Sequence, residues 1–89
     1  MEHIFVVGEE WHGDLCYART LSSAISYLIR TNWINKDTEI WDGVTTGTCT
    51  LEEKFGYFGW TEAVESMDFD TFNNVFDPAI VIRIETLME

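Results

Sequence analysis

Apolar positions recur with helical spacing most clearly over residues 20–31. There Leu21, Ala24, Ile25, Leu28 and Ile29 form one stripe, and Ser22, Ser23 and Ser26 stay off it. At 3.6 residues per turn, that spacing lays one apolar face of a helix on a core. Thr20 occupies the N-cap position, and Arg30 lies in the last turn, where a positive charge suits the helix dipole. The pattern predicts a helix over 20–31 as the scaffold of the fold.

Strands are expected on both sides of it. Residues 3–7 hold the consecutive apolar run Ile4, Phe5, Val6 and Val7, ended by Gly8. Residues 9–14 are polar with a glycine and read as a turn, after which 15–18 return antiparallel. Trp33 and Ile34 are expected to fold back on the core. Residues 38–41 form the next strand, followed by Asp42 and Gly43, a dipeptide suited to a two-residue hairpin turn. Residues 44–51 are rich in β-branched threonine and form the return strand, with Gly47 marking a bulge or a close approach.

Residues 52–60 then hold four aromatics and two glycines in the six positions from Phe55 to Trp60. Residues 61–67 predict a short helix capped by Thr61, with Ala63, Val64 and Met67 on its apolar side. Phe69, Phe72 and Phe76 continue at near-helical spacing until Pro78, which a helix does not pass. Residues 79–86 alternate, with Ile80, Ile82 and Ile84 facing one way and Val81, Arg83 and Glu85 the other. The expected fold is α+β: a two-layer sandwich with a mainly antiparallel sheet of four or five strands. One long helix (20–31) and a shorter helical segment (61–76) cover one face. The first and last strands are the most apolar, and are expected side by side at the centre.

Composition limits what such a fold can do. The chain has 89 residues, enough for one compact domain (1–89), and 46% of them are hydrophobic, enough for a packed interior. Sixteen acids against five bases give a net charge of −11. That balance argues against direct nucleic-acid binding, which depends on Lys and Arg neutralising phosphates, and against an anionic membrane surface. It favours a basic protein surface. No apolar run reaches the length that spans a bilayer. The N-terminal residues lack the basic start and cleavage pattern of a signal peptide, and the chain starting at Met1 looks like a complete small reading frame. Two cysteines, Cys16 and Cys49, are fewer than a secreted domain of this size usually carries, so reduced thiols and a cytoplasmic location are expected.

Candidate chemistry is sparse. His12, Asp14 and Cys16 alternate, so an extended segment would point all three the same way. The set nonetheless lacks the ligand number and spacing of a zinc site. A cysteine nucleophile would need His3 or His12 close by, and no motif surrounds either thiol. No glycine-rich nucleotide loop is present. No metal, cofactor or enzymatic activity is expected.

The distribution of acids says more. Between Lys36 and Lys54, and again between Lys54 and Arg83, acids run without an intervening base. Aromatics are interleaved with them. Trp and Tyr commonly anchor interface centres, and a charged surround steers a partner of opposite sign. Trp33 and Trp41 are expected in the core; Trp11 and the group from Tyr57 to Trp60 are expected to be exposed.

The expected partner-binding set is Glu9, Glu10, Trp11, Asp14, Asp42, Glu52, Glu53, Tyr57, Phe58, Trp60, Glu62, Glu65, Asp68 and Asp70. The function expected from it is inhibition of a nucleic-acid-handling protein through its basic groove, with carboxylates standing where phosphates sit. Phage-encoded antagonists of restriction and CRISPR systems, and DNA mimics, resemble this chain in size and charge. The alternative is a regulatory or assembly protein, homodimeric through a hydrophobic β-edge or the aromatic loop. A small enzyme using the loop of His12, Asp14 and Cys16 ranks third.

Overall fold

The structure, a computed structural model, describes residues 2–41, 47–76 and 79–87. Its elements run β1 (Glu2–Glu9), β2 (Gly13–Ala18), α1 (Leu21–Arg30), β3 (Glu39–Trp41), β4 (Thr48–Thr50), α2 (Leu51–Phe55), α3 (Trp60–Glu65), α4 (Phe69–Phe76) and β5 (Ile80–Leu87). The class is α+β. The strands form two antiparallel sheets, one ordered β2-β1-β5 and one pairing β3 with β4. The single sheet of four or five strands expected from the sequence is therefore divided. Both β3 and β4 are only three residues long. Residues 42–46, including the expected hairpin turn at Asp42 and Gly43, lie outside the described residues, as does Pro78.

Helix α1 follows its pattern. Ala24, Ile25 and Leu28 are fully buried, and Leu21 and Ile29 pack against the core. The Thr20 side chain accepts from the Ser23 amide at 3.1 Å, capping the helix as expected. The helix ends where Asn32 takes a left-handed φ of 66°, a conformation asparagine tolerates better than most residues. That turn lets the Ile34 amide reach back to the Leu28 carbonyl at 3.1 Å, and Ile34 drops into the core. At ten residues α1 is about 15 Å long, so it is not the long helix expected.

Strand β1 is central and pairs with β5 from Glu2 opposite Leu87 to Glu9 opposite Ile80. The first and last strands are neighbours as expected, but β5 lies at the sheet edge. Gly8 does not end β1, which runs on to Glu9. Between Val7 and Gly8 the register with β2 shifts, since Val7 faces Cys16 and Gly8 faces Asp14, leaving Leu15 as the extra residue. A bulge of this kind breaks strict alternation along the strand.

Val7, Ile80 and Ile82 join α1 and α4 in one cluster with Ile34, Ile40, Leu51, Val64, Phe72 and Phe76. Phe72 and Phe76 stack one turn apart with ring centroids 4.4 Å apart.

The segment after β4 departs furthest from expectation. Leu51 does not extend the strand; it begins α2. Thr50 accepts from the Glu53 amide at 3.1 Å, and the Glu53 carboxylate accepts from the Thr50 amide at 2.9 Å. This reciprocal capping box starts a helix regardless of the threonine-rich run before it. The expected segment 61–76 is two helices, α3 and α4, broken at 66–68. Helix α3 starts at Trp60 with Gly59 at its cap, so Thr61 is not the N-cap. A Cβ at Gly59 would lie 2.7 Å from the Phe55 carbonyl oxygen, which explains a glycine where α2 and α3 meet.

Candidate functional site

The β1–β2 turn is drawn together by one carboxylate. Glu9 accepts from the Trp11 amide at 3.0 Å and the His12 amide at 2.8 Å, and it pairs with the His12 ring through Nδ1. The His12 hydrogen bond is the main cause holding the Glu9 carboxyl below the ordinary carboxylate range. His12 also meets Trp33 edge-on, with centroids 5.1 Å apart, so the turn is anchored over the end of α1. Gly13, at φ 75°, closes the turn. Glu9 is thus occupied within the turn. Glu10 and Trp11 are presented outward, Trp11 at 83% exposure, and the Glu10 amide is tied to the Ala79 carbonyl at 3.0 Å.

Asp14 is also engaged. On the sheet face away from the helices, the Arg83 guanidinium forms two 3.0 Å hydrogen bonds to its two carboxylate oxygens. Both groups lie close to Gly8, where an added Cβ would meet the guanidinium and the carboxylate at an ordinary contact distance of 3.8 Å. Tyr17 donates to Asp14 at 3.1 Å, and Arg83 also reaches Glu85 at 3.1 Å. Arg83 chiefly lowers the Asp14 pKa; Asp14 in turn raises those of Tyr17 and Arg83. Beneath this network Val6, opposite both Tyr17 and Arg83, is 0% exposed.

The bulge therefore separates His12, Asp14 and Cys16. His12 lies in the turn, Asp14 on the outer face, and Cys16 against the core. They do not point the same way. Burial pushes the Cys16 thiol up, which keeps it protonated and weakly nucleophilic at neutral pH. Both cysteines are free thiols, and among the described residues no group of His, Cys, Asp and Glu is arranged to hold a metal ion.

Three further expected site acids have local work. Glu53 is half of the capping box. Glu52 lies 3.5 Å from Lys36. Asp68 accepts from the Thr71 amide at 2.7 Å and caps α4, which holds its carboxyl below the ordinary range. Asp42 falls outside the described residues.

What stays outward is a smaller set. Tyr57 and Phe58 sit in the loop between α2 and α3, Phe58 at 96% exposure, and meet edge-to-face with centroids 5.0 Å apart. Trp60, expected beside them, instead turns inward and packs against the core, because it is already the first residue of α3. Glu62 and Glu65 are exposed one turn apart on α3, and Asp70 is exposed on α4.

Trp41 shows the opposite departure. It was expected in the core but is 46% exposed, on a short strand beside an open groove of about 240 Å³ lined by Ile40, Val75, Phe76 and Ala79. Helix α3 packs on α1 and α2, whereas the turn bearing Trp11 is tied to Ala79. Different elements thus hold the two aromatic surfaces. Exposed Tyr17 and Ile84 were not anticipated; Ile84 shares its face with buried Ile80 and Ile82, so alternation gives no sign that this end of β5 is uncovered.

The fold and these surfaces define a small acidic α+β protein with aromatic side chains presented at two turns. No family model, curated protein or solved structure matches this chain. No helix among the described residues is long and apolar enough to cross a membrane.

Proposed function

We propose that this chain is a small acidic protein-binding module, an inhibitor that engages a basic, nucleic-acid-binding surface of a partner protein. The observation that carries the reading is the surface from Tyr57 to Asp70. Exposed Tyr57 and Phe58 there stand directly ahead of exposed Glu62 and Glu65, in a chain of net charge −11. Glu10 and Trp11 supply a second outlet of the same chemistry. A partner whose Lys and Arg normally hold phosphates would meet carboxylates instead, and its base-stacking or apolar pockets would meet Phe58 and Tyr57. Inhibition follows from occupancy, without chemistry on the partner. The proposed setting is the cytoplasm, and the proposed kind is the anti-restriction, anti-CRISPR or DNA-mimic antagonist.

The test is competition. Purified restriction endonucleases and CRISPR effector complexes would be assayed for DNA binding with increasing amounts of the chain. One of them should lose DNA, with an inhibition constant that weakens steeply as salt rises. Phe58→Ala should weaken that inhibition roughly tenfold or more, as expected for an interface anchor. Inhibition indifferent to salt would sink the reading. The alternative, homodimerisation through the aromatic loop, is favoured by the near-complete exposure of Phe58. Sedimentation at micromolar concentration should then show a dimer that Phe58→Ala dissociates.

A further inference from the structure

Strand β5 is an edge, and the structure closes only part of it. In an antiparallel ladder, successive residues direct their amide and carbonyl alternately toward and away from the neighbouring strand. Asn73 of α4 identifies the outward set. Its carboxamide donates to the Ile82 carbonyl at 2.8 Å and accepts from the Ile82 amide at 2.9 Å, so both Ile82 groups point away from β1. The Asn73 side chain stands there in place of a further strand.

Two residues on, Ile84 and Thr86 occupy the same outward phase, opposite Phe5 and His3. Among the described residues nothing covers them. Helix α4 ends its cover at Ile82, residues 83–86 are all exposed, and Ile84 keeps 48% of its surface in solvent. Two amides and two carbonyls are thus open beside an exposed isoleucine. An open edge of this kind recruits another strand.

We infer that residues 84–86 of β5 are a β-addition site for an extended segment of the partner, one that alternates basic and apolar residues. The basic character rests on the proposed function; the open edge does not. Glu85 lies on the outer face, where a Lys or Arg directly across would pair with it. Ile84 lies on the helix-side face, where an apolar residue would cover it. The net charge of −11 favours a positive strand over the whole approach.

A second copy of this chain fits poorly. Symmetric pairing about Ile84 needs the outward groups of Ile82, which Asn73 already fills. Symmetric pairing about Glu85 sets two Glu85 carboxylates directly opposite each other.

The experiment uses the whole chain, labelled with nitrogen-15, and a capped synthetic peptide of alternating Lys and Val. A peptide of alternating Glu and Val and a fully N-methylated Lys and Val peptide serve as controls. In the free chain the Ile84 and Thr86 amides should exchange with solvent much faster than those of Arg83 and Glu85. Adding the Lys peptide should shift and protect Ile84 and Thr86. The Glu peptide should bind at least about tenfold more weakly. The N-methylated peptide, which cannot pair with a strand, should not bind.

Ile84→Pro removes an outward amide and no bond to β1, and should abolish the effect. If that variant unfolds, the N-methylated peptide makes the same test on the unaltered chain. Failure of the Lys peptide to bind, equal binding of its N-methylated form, or shifts confined to Tyr57, Phe58, Glu62 and Glu65 would each overturn the inference. The last outcome would leave the proposed function standing. Protection at Ile84 and Thr86, with no antagonism of any DNA-binding enzyme, would do the reverse.

Discussion

Asp14 and Arg83, 69 residues apart in the chain, are the pair whose chemistry most depends on the fold. Both Asp14 and Glu9 have carboxyl pKa values depressed by hydrogen bonds that exist only when folded. A depressed folded pKa means that the unfolded chain binds protons first. The two groups therefore stabilise the fold above the ordinary carboxylate pKa of about 4, and this contribution disappears as pH falls through their lower folded values. Thermal unfolding followed from pH 7 down to about pH 2 should show the midpoint dropping across that window. Asp14→Asn should melt a few degrees lower at pH 7 and lose less on acidification than the natural chain. Equal pH profiles for the two would mean that the bridge adds nothing. Asn73 is a second residue whose role no pattern announces: its carboxamide serves backbone groups on an element nine residues away.

Elements show where local patterns succeed and where they compete. The apolar stripe of α1 leads directly to its buried face, because one periodicity admits one solution. Around Thr50 two signals conflict. A run of β-branched residues favours strand, while the sequence Thr50, Leu51, Glu52, Glu53 has the spacing of a capping box. The box prevails because it satisfies two otherwise orphaned amides at the start of α2 and buries Leu51. Thr50→Ala should therefore cost about 1 kcal/mol in urea unfolding. For a chain of this length that lowers the melting temperature by about 5 °C. A change near zero would show that α2 is held by packing alone. Trp60 and Trp41 exchange their expected places for a related reason. Capping α3 at Gly59, two residues before the expected Thr61, turns Trp60 inward, and a three-residue β3 leaves Trp41 without full cover.

At the scale of the molecule, charge outweighs what the fold can neutralise. Glu9, Asp14, Glu52, Glu53, Asp68 and Glu85 have partners within the chain, yet Glu10, Glu62, Glu65 and Asp70 remain exposed. Mutual repulsion of these acids opposes compactness, and it is screened within about 8–10 Å at physiological salt. Added sodium chloride should therefore raise the thermal midpoint by several degrees at pH 7. A fall instead would show that the internal ion pairs outweigh the repulsion. The same surplus gives any basic partner a salt-dependent attraction, which links stability and recognition in one measurement.

From the sequence alone came the α+β class, a helix over residues 20–31 that the structure forms as Leu21–Arg30, the adjacency of the first and last strands, and the excess of acid. These follow from periodicity, β-propensity and counting, which need no knowledge of distant residues. The candidate site was legible only in part. Trp11, Tyr57, Phe58, Glu10, Glu62, Glu65 and Asp70 do stand outward, whereas Glu9, Asp14, Glu53 and Asp68 resemble them in the sequence but are engaged in turns, caps and a bridge. Local turns and caps engage Glu9, Glu53 and Asp68. Tertiary structure alone engaged Asp14 and decided the bulge that parts His12, Asp14 and Cys16 and the splitting of the strands into two sheets. It also decided which stretch of β5 stays open. A carboxylate is free or occupied according to the donors brought to it, and here those donors arrive by local turns at Glu9 and from the far end of the chain at Asp14.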